Sequence, residues 1–250
     1  MSPPRDASRS LFRRGLLVLC EWLCRRLGAR DLGFLFERLQ ISRMGRDPKI
    51  GQYALEYNNP QTLRFLIDAY PSLERIFSLF PRMGTVRLLD VGAAFGAAGG
   101  LLSQMHRSHF LGPKVVVDVL DVVDSRREFI GMTYPLVGFL HSDIEDLPED
   151  AMWDVVYCSN TIEHIDKPSE FINAIMKHTR SYAVFLAPYR EALPLSPDHR
   201  LQITEQTFDG FSVEHIEVFR SAAWPTTAEG VEREQILVVL STGGASSSAF

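Results

Sequence analysis

Residues 86–100 read V-R-L-L-D-V-G-A-A-F-G-A-A-G-G, and the rest of the chain is organised around this stretch. Residues 86–91 form a short, partly β-branched apolar run that ends at a glycine, which is the pattern of a buried strand. Gly92 and Gly96 permit a tight turn, and the alanine-rich residues after them can begin a helix. This arrangement brings backbone N–H groups close to whatever lies above the strand end, so it predicts a site for a nucleotide-like ligand.

One acid indicates which ligand the loop suits. Asp90 stands two positions before Gly92 and gives D-x-G-x-x-x-G over residues 90–96, while Ala94 occupies the place of the second glycine in a dinucleotide fingerprint. A carboxylate at the mouth of the loop repels pyrophosphate but suits a ligand that carries an ammonium group. An ordinary strand-to-helix turn is the alternative interpretation of these residues.

The loop resembles motif I of the class I S-adenosylmethionine-dependent methyltransferases, whose usual form is D/E-x-G-x-G-x-G. Alanine replaces the middle glycine here, at position 94. The resemblance implies a Rossmann-like fold, S-adenosylmethionine as the cofactor, and a cofactor site that includes Asp90, Gly92, Ala93 and Gly96.

Strand and helix patterns alternate from residue 86 onward, which is typical of a doubly wound, mostly parallel α/β sheet. The pattern predicts a helix over residues 97–106 and an amphipathic helix over residues 168–178. Seven strands are predicted, at residues 86–91, 115–120, 137–141, 152–157, 182–187, 213–219 and 236–240, with the last two pairing as a hairpin.

Composition agrees with one such domain and an appendage. The chain has 250 residues, of which 46% are hydrophobic and 23% charged, enough to bury one good core. Cys20, Cys24 and Cys158 make neither a disulfide framework nor a C-x-x-C zinc pair, so a reducing, cytoplasmic setting is expected.

Charge is distributed unevenly along the chain. Residues 1–50 hold 11 Lys and Arg against 5 Asp and Glu, which leaves 15 against 26 for the remainder. The acidic body argues against a general nucleic-acid binder, so we expect no nucleic-acid partner. The predicted organisation is a basic N-terminal helical segment at residues 1–80, a methyltransferase domain at 81–241 and a flexible tail at 242–250.

The basic N-terminal segment contains a predicted amphipathic helix over residues 12–27. Its uninterrupted apolar run is too short to span a bilayer, and Glu21 argues against a signal peptide. Packing on the domain or on a partner is favoured, and peripheral contact with an anionic membrane remains the alternative. Asn59 and Pro60 predict the start of a later helix that Pro71 restarts.

Carboxylates at strand ends are the next candidates. The second predicted strand ends at Asp121, where a carboxylate can accept both ribose hydroxyls. Asp121 could instead cap the next turn, and Asp118 is a rival that would sit in mid-strand. Resemblance to the same methyltransferases implies that Glu56 and Tyr57 could be neighbours of the cofactor, although simple packing explains each of them as well.

Two later segments strengthen the resemblance. In H-S-D-I-E-D-L-P, residues 141–148, it assigns the adenine ring to Asp143 and Ile144. Residues 153–168, W-D-V-V-Y-C-S-N-T-I-E-H-I-D-K-P, are similar to the group that includes the ubiquinone and menaquinone biosynthesis enzymes. There, Ser159 and Asn160 would meet the methionine end of the cofactor.

Two histidines are candidate catalytic bases for an acceptor hydroxyl, because imidazole titrates near neutral pH. His164 follows the fourth strand and His199 lies in the loop after the fifth, beside Arg200. Helix stabilisation is the alternative for His164, and a solvated loop for His199. A related pattern, E-x-x-E-H, binds a divalent metal in some RNA-end methyltransferases, but Asn160 replaces its first glutamate, so no metal site is predicted.

The expected function is transfer of a methyl group from S-adenosylmethionine to an oxygen of a small molecule or glycan. Two alternatives remain open: a catalytically silent methyltransferase-like binding domain, and a nicotinamide-dependent oxidoreductase. Ala94 and the position of Asp90 argue against the oxidoreductase. The sequence does not identify the acceptor.

Overall fold

The computed structural model describes residues 52–221 and 233–243. Contacts divide the chain between Gly51 and Gln52, and the unit that begins at Gln52 holds the sheet. The amphipathic helix expected at residues 12–27 and the end of the expected tail lie outside the described residues. Among those that are described, no helix is long and apolar enough to cross a membrane.

A twisted sheet forms the centre of this unit, and seven strands belong to it within the described residues. Their order is β3-β2-β1-β4-β5-β7-β6. β7 runs antiparallel to both of its neighbours, and the other pairs are parallel. The strands are β1 (Thr85–Val91), β2 (Lys114–Asp121), β3 (Gly138–His141), β4 (Trp153–Ser159), β5 (Thr179–Pro188), β6 (Val213–Arg220) and β7 (Glu234–Ser241). The predicted mostly parallel, seven-stranded α/β fold is confirmed.

Four α-helices cover the sheet in the described part of the chain, two of them on opposite faces of β1. Leu89 and Val91 pack in one cluster with the helix after β4, whereas Asp90 faces the helix after β1. Because side chains alternate along a strand, those two helices lie on opposite faces. The helices are α1 (Asn59–Ser78), α2 (Ala97–Met105), α3 (Arg127–Thr133) and α4 (Pro168–Lys177).

Helix α1 differs from its sequence prediction in two places. A π-helical turn, Ala54–Asn58, leads directly into it, so the Asn59 N–H already donates to the Ala54 carbonyl and has no capping role. The helix also runs through Pro71 without a restart. Pro71 is exposed, while Leu73 and Ile76 on the same helix are fully buried, so burial of the opposite face outweighs the cost of the missing N–H.

Short 3₁₀ turns follow β2, β3 and β4 at the carboxyl edge of the parallel strands. In doubly wound sheets this edge, beside the point where strand order reverses, is where ligands bind. Here the reversal lies between β1 and β4. The turns are Asp124–Arg126, Ile144–Asp146 and Ile162–His164, and a fourth, Glu205–Phe208, precedes β6 and is capped by Thr204.

Candidate cofactor and acceptor site

The loop after β1 has an unusual backbone. Gly92, Ala94 and Gly96 all adopt the left-handed conformation, with φ of 70°, 49° and 73°. A residue with a Cβ pays on the order of 1 kcal/mol for this conformation, so the motif places glycine at two of the three positions and the smallest side chain at the third. A Cβ at Gly92 would also lie 2.7 Å from Cγ2 of Thr161, so no other residue fits there without displacing the turn after β4.

Asp90 lies beneath this loop with its side chain almost fully buried. Its Oδ2 accepts a hydrogen bond of 3.2 Å from the Gly99 N–H in the first turns of α2. Burial raises the pKa of this carboxyl to about 7, against the lowering effect of the Gly99 bond and with a further rise from the nearby charge of Asp121. A buried carboxylate of this kind is a strong partner for a cationic ligand group.

Asp121 ends β2 and is bonded on both oxygens. Oδ2 accepts from the Ala94 N–H at 3.0 Å and from the Arg126 guanidinium, and Oδ1 accepts from the Val123 N–H at 2.8 Å. The carboxylate therefore fastens the cofactor loop and caps the next turn, while it also faces the cavity. Its ribose role stays a prediction.

Asp118, the rival for the ribose, is placed differently. Its Oδ2 accepts from the Trp153 indole N–H at 2.8 Å and lies 3.6 Å from the Arg87 guanidinium. It contributes to neither of the two cavities described below. Its contacts are those of a residue that ties β2 to β1 and β4.

Two cavities of about 560 Å³ and 550 Å³ open along the carboxyl edge of the sheet. Both are lined by Gly92, Asp121, Thr161 and His164, so they are adjoining parts of one cleft. The predicted cofactor residues divide between them. The first contains Asp90, Gly92, Ala93, Asp121, Ser159 and Asn160, and the second contains Gly92, Asp121, Asp143 and Ile144.

Gly96 is a predicted cofactor residue that lines neither part of the cleft. It caps α2, and a Cβ there would approach the Ile130 side chain at 3.2 Å. Its effect on a ligand is therefore through the shape of the loop. Asp143 lines the second part, although its Oδ1 also accepts from the Glu145 N–H at 3.3 Å.

Unpaired polar atoms in the first part of the cleft favour a polar ligand. The Tyr157 hydroxyl and Asn160 Oδ1 are buried and have no hydrogen-bond partner among the described residues. Buried polar groups are normally paired, so each is a place for a ligand's donor. Tyr157 was not among the predicted site residues, and its phenol between the buried Val156 and Cys158 was the available signal. These atoms, with Asp90, fit the amino-acid end of S-adenosylmethionine.

The two predicted bases both line the first part of the cleft, and the lining around them is named the acceptor end. The rings of His164 and His199 pack edge to face, with centroids 4.9 Å apart, although they lie on different elements. The loop after β5 is held against the turn after β4 because the Arg200 N–H donates to the Glu163 carbonyl at 2.7 Å. The Arg200 side chain itself points to Asp166 and does not line the cleft.

Glu191 orients the second histidine and was missed by the sequence analysis. Its Oε2 pairs with Nδ1 of His199, and its Oε1 accepts from the Ser196 N–H at 3.2 Å and hydroxyl at 2.6 Å. Burial alone would raise the pKa of Glu191, but the bonds from Ser196 and His199 lower it. This carboxylate is therefore ionised and fixes one nitrogen of the ring.

Glu163 is the other buried carboxyl at this end. The side chain is 2% exposed, and Oε2 has no hydrogen-bond partner among the described residues. Burial raises its pKa to about 8, and the charges of Glu191 and Asp198 add to that rise. Glu163 lines the cleft beside His164.

Aromatic side chains lie at the mouth of the cleft. Tyr53 and Tyr57 are about half exposed, and their rings are 5.3 Å apart. Both line the first part of the cleft. Glu56 does not line it, and its carboxylate instead accepts from the Gln52 amide at 3.0 Å.

Comparison with known proteins identifies relatives of this chain. A methyltransferase domain family matches residues 89–187. A ubiquinone biosynthesis O-methyltransferase of Rickettsia felis is 25% identical over 145 residues, which cover 58% of this chain and 54% of that protein. The chain thus spans about half the length of the curated relatives it matches.

Solved structures share the fold. Magnesium protoporphyrin IX methyltransferase from Synechocystis PCC 6803, with bound SAH, superposes with a TM-score of 0.51 at 13% identity and covers 84% of this chain and 94% of that one. The cyclase SpnF gives 0.52 at 16% identity, with coverage of 70% and 80%. Such likeness shows the fold alone. Because SpnF is a cyclase, the shared fold does not determine the reaction.

The position of the family match is informative. It begins at Leu89, one residue before the carboxylate under the cofactor loop, and ends at Ala187 on β5. It therefore spans the strands that build both parts of the cleft. Residues 89–187 of this chain match the methyltransferase domain family, and together with the relatives above this match supports a class I S-adenosylmethionine-dependent methyltransferase.

Proposed function

We propose that this protein transfers a methyl group from S-adenosylmethionine to a hydroxyl oxygen of a small molecule, such as a sugar or another alcohol. The observation that carries the proposal is the lining of one cavity, which includes Asp90 and Gly92 of the cofactor loop together with His164 and His199. A cofactor and an acceptor held in the same cavity can react without entry of bulk water.

The cofactor end has a partner for each part of the ligand. Asp90 would hold the ammonium group and Asp121 the ribose hydroxyls, while Asp143 and Ile144 would border the adenine ring. When bound, S-adenosylmethionine supplies an electrophilic methyl group on a positively charged sulfur. The charge on sulfur disappears during transfer, so the protein contributes chiefly by positioning the two reactants.

The acceptor end suits a hydroxyl group. Nδ1 of His199 is engaged by Glu191, and Nδ1 of His164 lies 3.0 Å from the Asp198 carbonyl oxygen. Since a carbonyl can only accept, Nδ1 of His164 carries the hydrogen, and Nε2 is left to accept from an acceptor O–H. Tyr53 and Tyr57 at the mouth offer ring faces against which a sugar or an aromatic alcohol can pack.

Among the relatives, the O-methyltransferase of Rickettsia felis supports an oxygen acceptor, and its low identity leaves the acceptor itself to experiment. The direct test uses methyl-labelled S-adenosylmethionine with cell extract and with a panel of sugars and aromatic alcohols, and reads labelled products by mass spectrometry. The Gly92→Val variant is the matched control, because its loop cannot close as in the parent protein.

Calorimetry separates the two rival functions. Binding of S-adenosylmethionine without binding of NADH supports the methyltransferase and excludes the oxidoreductase. Cofactor binding with no labelled product from any source would favour a silent binding domain and contradict the proposal.

A further inference from the structure

Three side chains of the acceptor end form a cluster, and the binding of an acceptor hydroxyl does not by itself require all three of them. One carboxylate oxygen of Glu163 and one ring nitrogen each of His164 and His199 lie within 4.8 Å of one another. In residues 52–221 and 233–243, this is the one group of three His, Cys, Asp or Glu side chains found with metal-ligand spacing. Ligand atoms bind Zn²⁺ at about 2.0–2.2 Å, so small side-chain rotations would let all three reach one ion.

Both imidazoles are already held as metal ligands usually are. A metal-bound histidine donates its second N–H to a carboxylate or a backbone carbonyl, which fixes the ring and its tautomer. Here the carboxylate is that of Glu191 for His199, and the carbonyl is that of Asp198 for His164. The recorded hydrogen bonds of both rings use Nδ1, and therefore Nε2 is the nitrogen available to a ligand.

The carboxyl of Glu163 supplies the independent observation. It is 2% exposed, lines the cleft beside His164, and its Oε2 has no hydrogen-bond partner among the described residues. A buried oxygen of this kind costs free energy unless something pairs with it. A cation between the carboxylate and the two rings would be that partner.

We propose that Glu163, His164 and His199 bind one divalent transition-metal ion. Two imidazoles and one carboxylate favour Zn²⁺, Mn²⁺, Fe²⁺ or Co²⁺ over Mg²⁺ and Ca²⁺, which prefer oxygen donors alone. The sequence analysis predicted no metal because Asn160 replaces a glutamate, but this donor set does not use position 160.

Three protein ligands leave coordination positions open towards the cleft. In the reaction proposed above, on which this step rests, the acceptor hydroxyl would occupy one of them. A metal-bound hydroxyl is more acidic and is held in a fixed place, so the ion would both activate and position the acceptor. With Nε2 of His164 bound to the ion, the hydroxyl would lose its proton to water and the ring would not act as the base. Glu191 would then act as a positioning residue, through His199.

The test is metal binding by the full-length chain after removal of metal with EDTA. Calorimetry with Zn²⁺ and with Mn²⁺ is expected to show one ion per chain, and the absorption of a Co²⁺ sample should show coordination by nitrogen and oxygen. Glu163→Gln and His199→Ala should each weaken binding by about tenfold or more, and Glu191→Gln by about tenfold.

His109→Ala is the matched control, because that ring lies near the Arg82 carbonyl at the opposite edge of the strands. Its metal affinity should equal that of the parent protein. All variants keep Cys20 and Cys24, so any binding by thiols is common to every sample. Retained affinity for S-adenosylmethionine shows that a variant is folded.

Absence of one-to-one binding, or equal binding by the parent protein and the Glu163→Gln and His199→Ala variants, would overturn the proposal. Failure of the metal site is distinguishable from failure of the proposed function. Methyl transfer by a parent protein that binds no ion in the calorimetry removes the site and keeps the function. A bound ion lost in those variants, with no acceptor methylated, keeps the site and removes the function.

Discussion

Replacement of Asp90 by asparagine is expected to make the ligand-free protein more stable and its cofactor site weaker. Burial raises the pKa of this carboxyl from its ordinary value of 3.8 to about 7. The folded state therefore binds a proton more readily than the unfolded state between those two values. Stability from this group is present at low pH and declines as pH rises towards 7.

A pKa rise of about three pH units corresponds to about 4 kcal/mol lost from the free energy of unfolding above pH 7. The asparagine side chain of the variant carries no charge, so Asp90→Asn should unfold at a higher temperature than the parent protein at about pH 8. The difference should shrink towards about pH 5, where the aspartate is protonated in the folded state.

Cofactor binding should respond in the opposite sense. A cationic ligand group needs the ionised carboxylate, so affinity for S-adenosylmethionine should fall as pH drops below about 7, by about 10- to 100-fold in total. Asp90→Asn should bind S-adenosylmethionine about 10- to 100-fold more weakly than the parent protein at pH 8, because it loses a hydrogen bond to a charged group. Its affinity should also lose this dependence on pH.

Calorimetric titration with S-adenosylmethionine and thermal unfolding, each followed across this pH range, measure both effects. Gln104→Asn is a suitable control, since that exposed side chain lies on α2 outside the cleft. Parallel pH dependence of affinity in Asp90→Asn and the parent protein would refute the reasoning, because some other group would then control binding.

Gly92→Val should abolish cofactor binding and also lower the unfolding temperature, since the left-handed backbone alone costs about 1–3 kcal/mol; unchanged calorimetric affinity would exclude this loop as the cofactor site. Asp121→Ala should weaken S-adenosylmethionine binding by about 1.5–3 kcal/mol, whereas Asp118→Ala should lower only the stability, and the reverse pattern would reassign the ribose. Of His164→Ala and His199→Ala, the variant that removes the histidine acting on the acceptor should lose about 10²–10⁴-fold in turnover with cofactor affinity little changed; near-normal turnover in both would point to an acceptor that needs no imidazole.

Much of the fold could be predicted because the central strands are buried on both faces. Such strands appear in the sequence as continuous apolar runs, and glycine or aspartate marks where each ends. The start of α1 could not be read in this way. Asn59 and Pro60 have the pattern of a helix start, but whether the residues before them are helical depends on tertiary contacts that the pattern does not contain.

The candidate site was predictable where one segment supplies it. Asp90 and Gly92 belong to one short segment, and both line the cleft at the carboxyl edge of the sheet. The cluster at the acceptor end joins residues from separate segments, so spacing could not show that His164 and His199 meet. Glu191 carries no local pattern, and its importance appears only when the loop after β5 folds back on itself.

The loop after β5 begins and ends at neighbouring residues. Tyr189 and Ile203 form an isolated β-bridge, the Arg190 N–H donates to the Ile203 carbonyl at 3.0 Å, and the Tyr189 hydroxyl donates to Glu205 at 2.7 Å. Residues 191–202 are thus a loop closed at its base, and surface loops of this kind can change in length and sequence at low cost to the domain. Exchange of this segment between related proteins is therefore a way to change the acceptor while the residues of the cofactor loop stay the same.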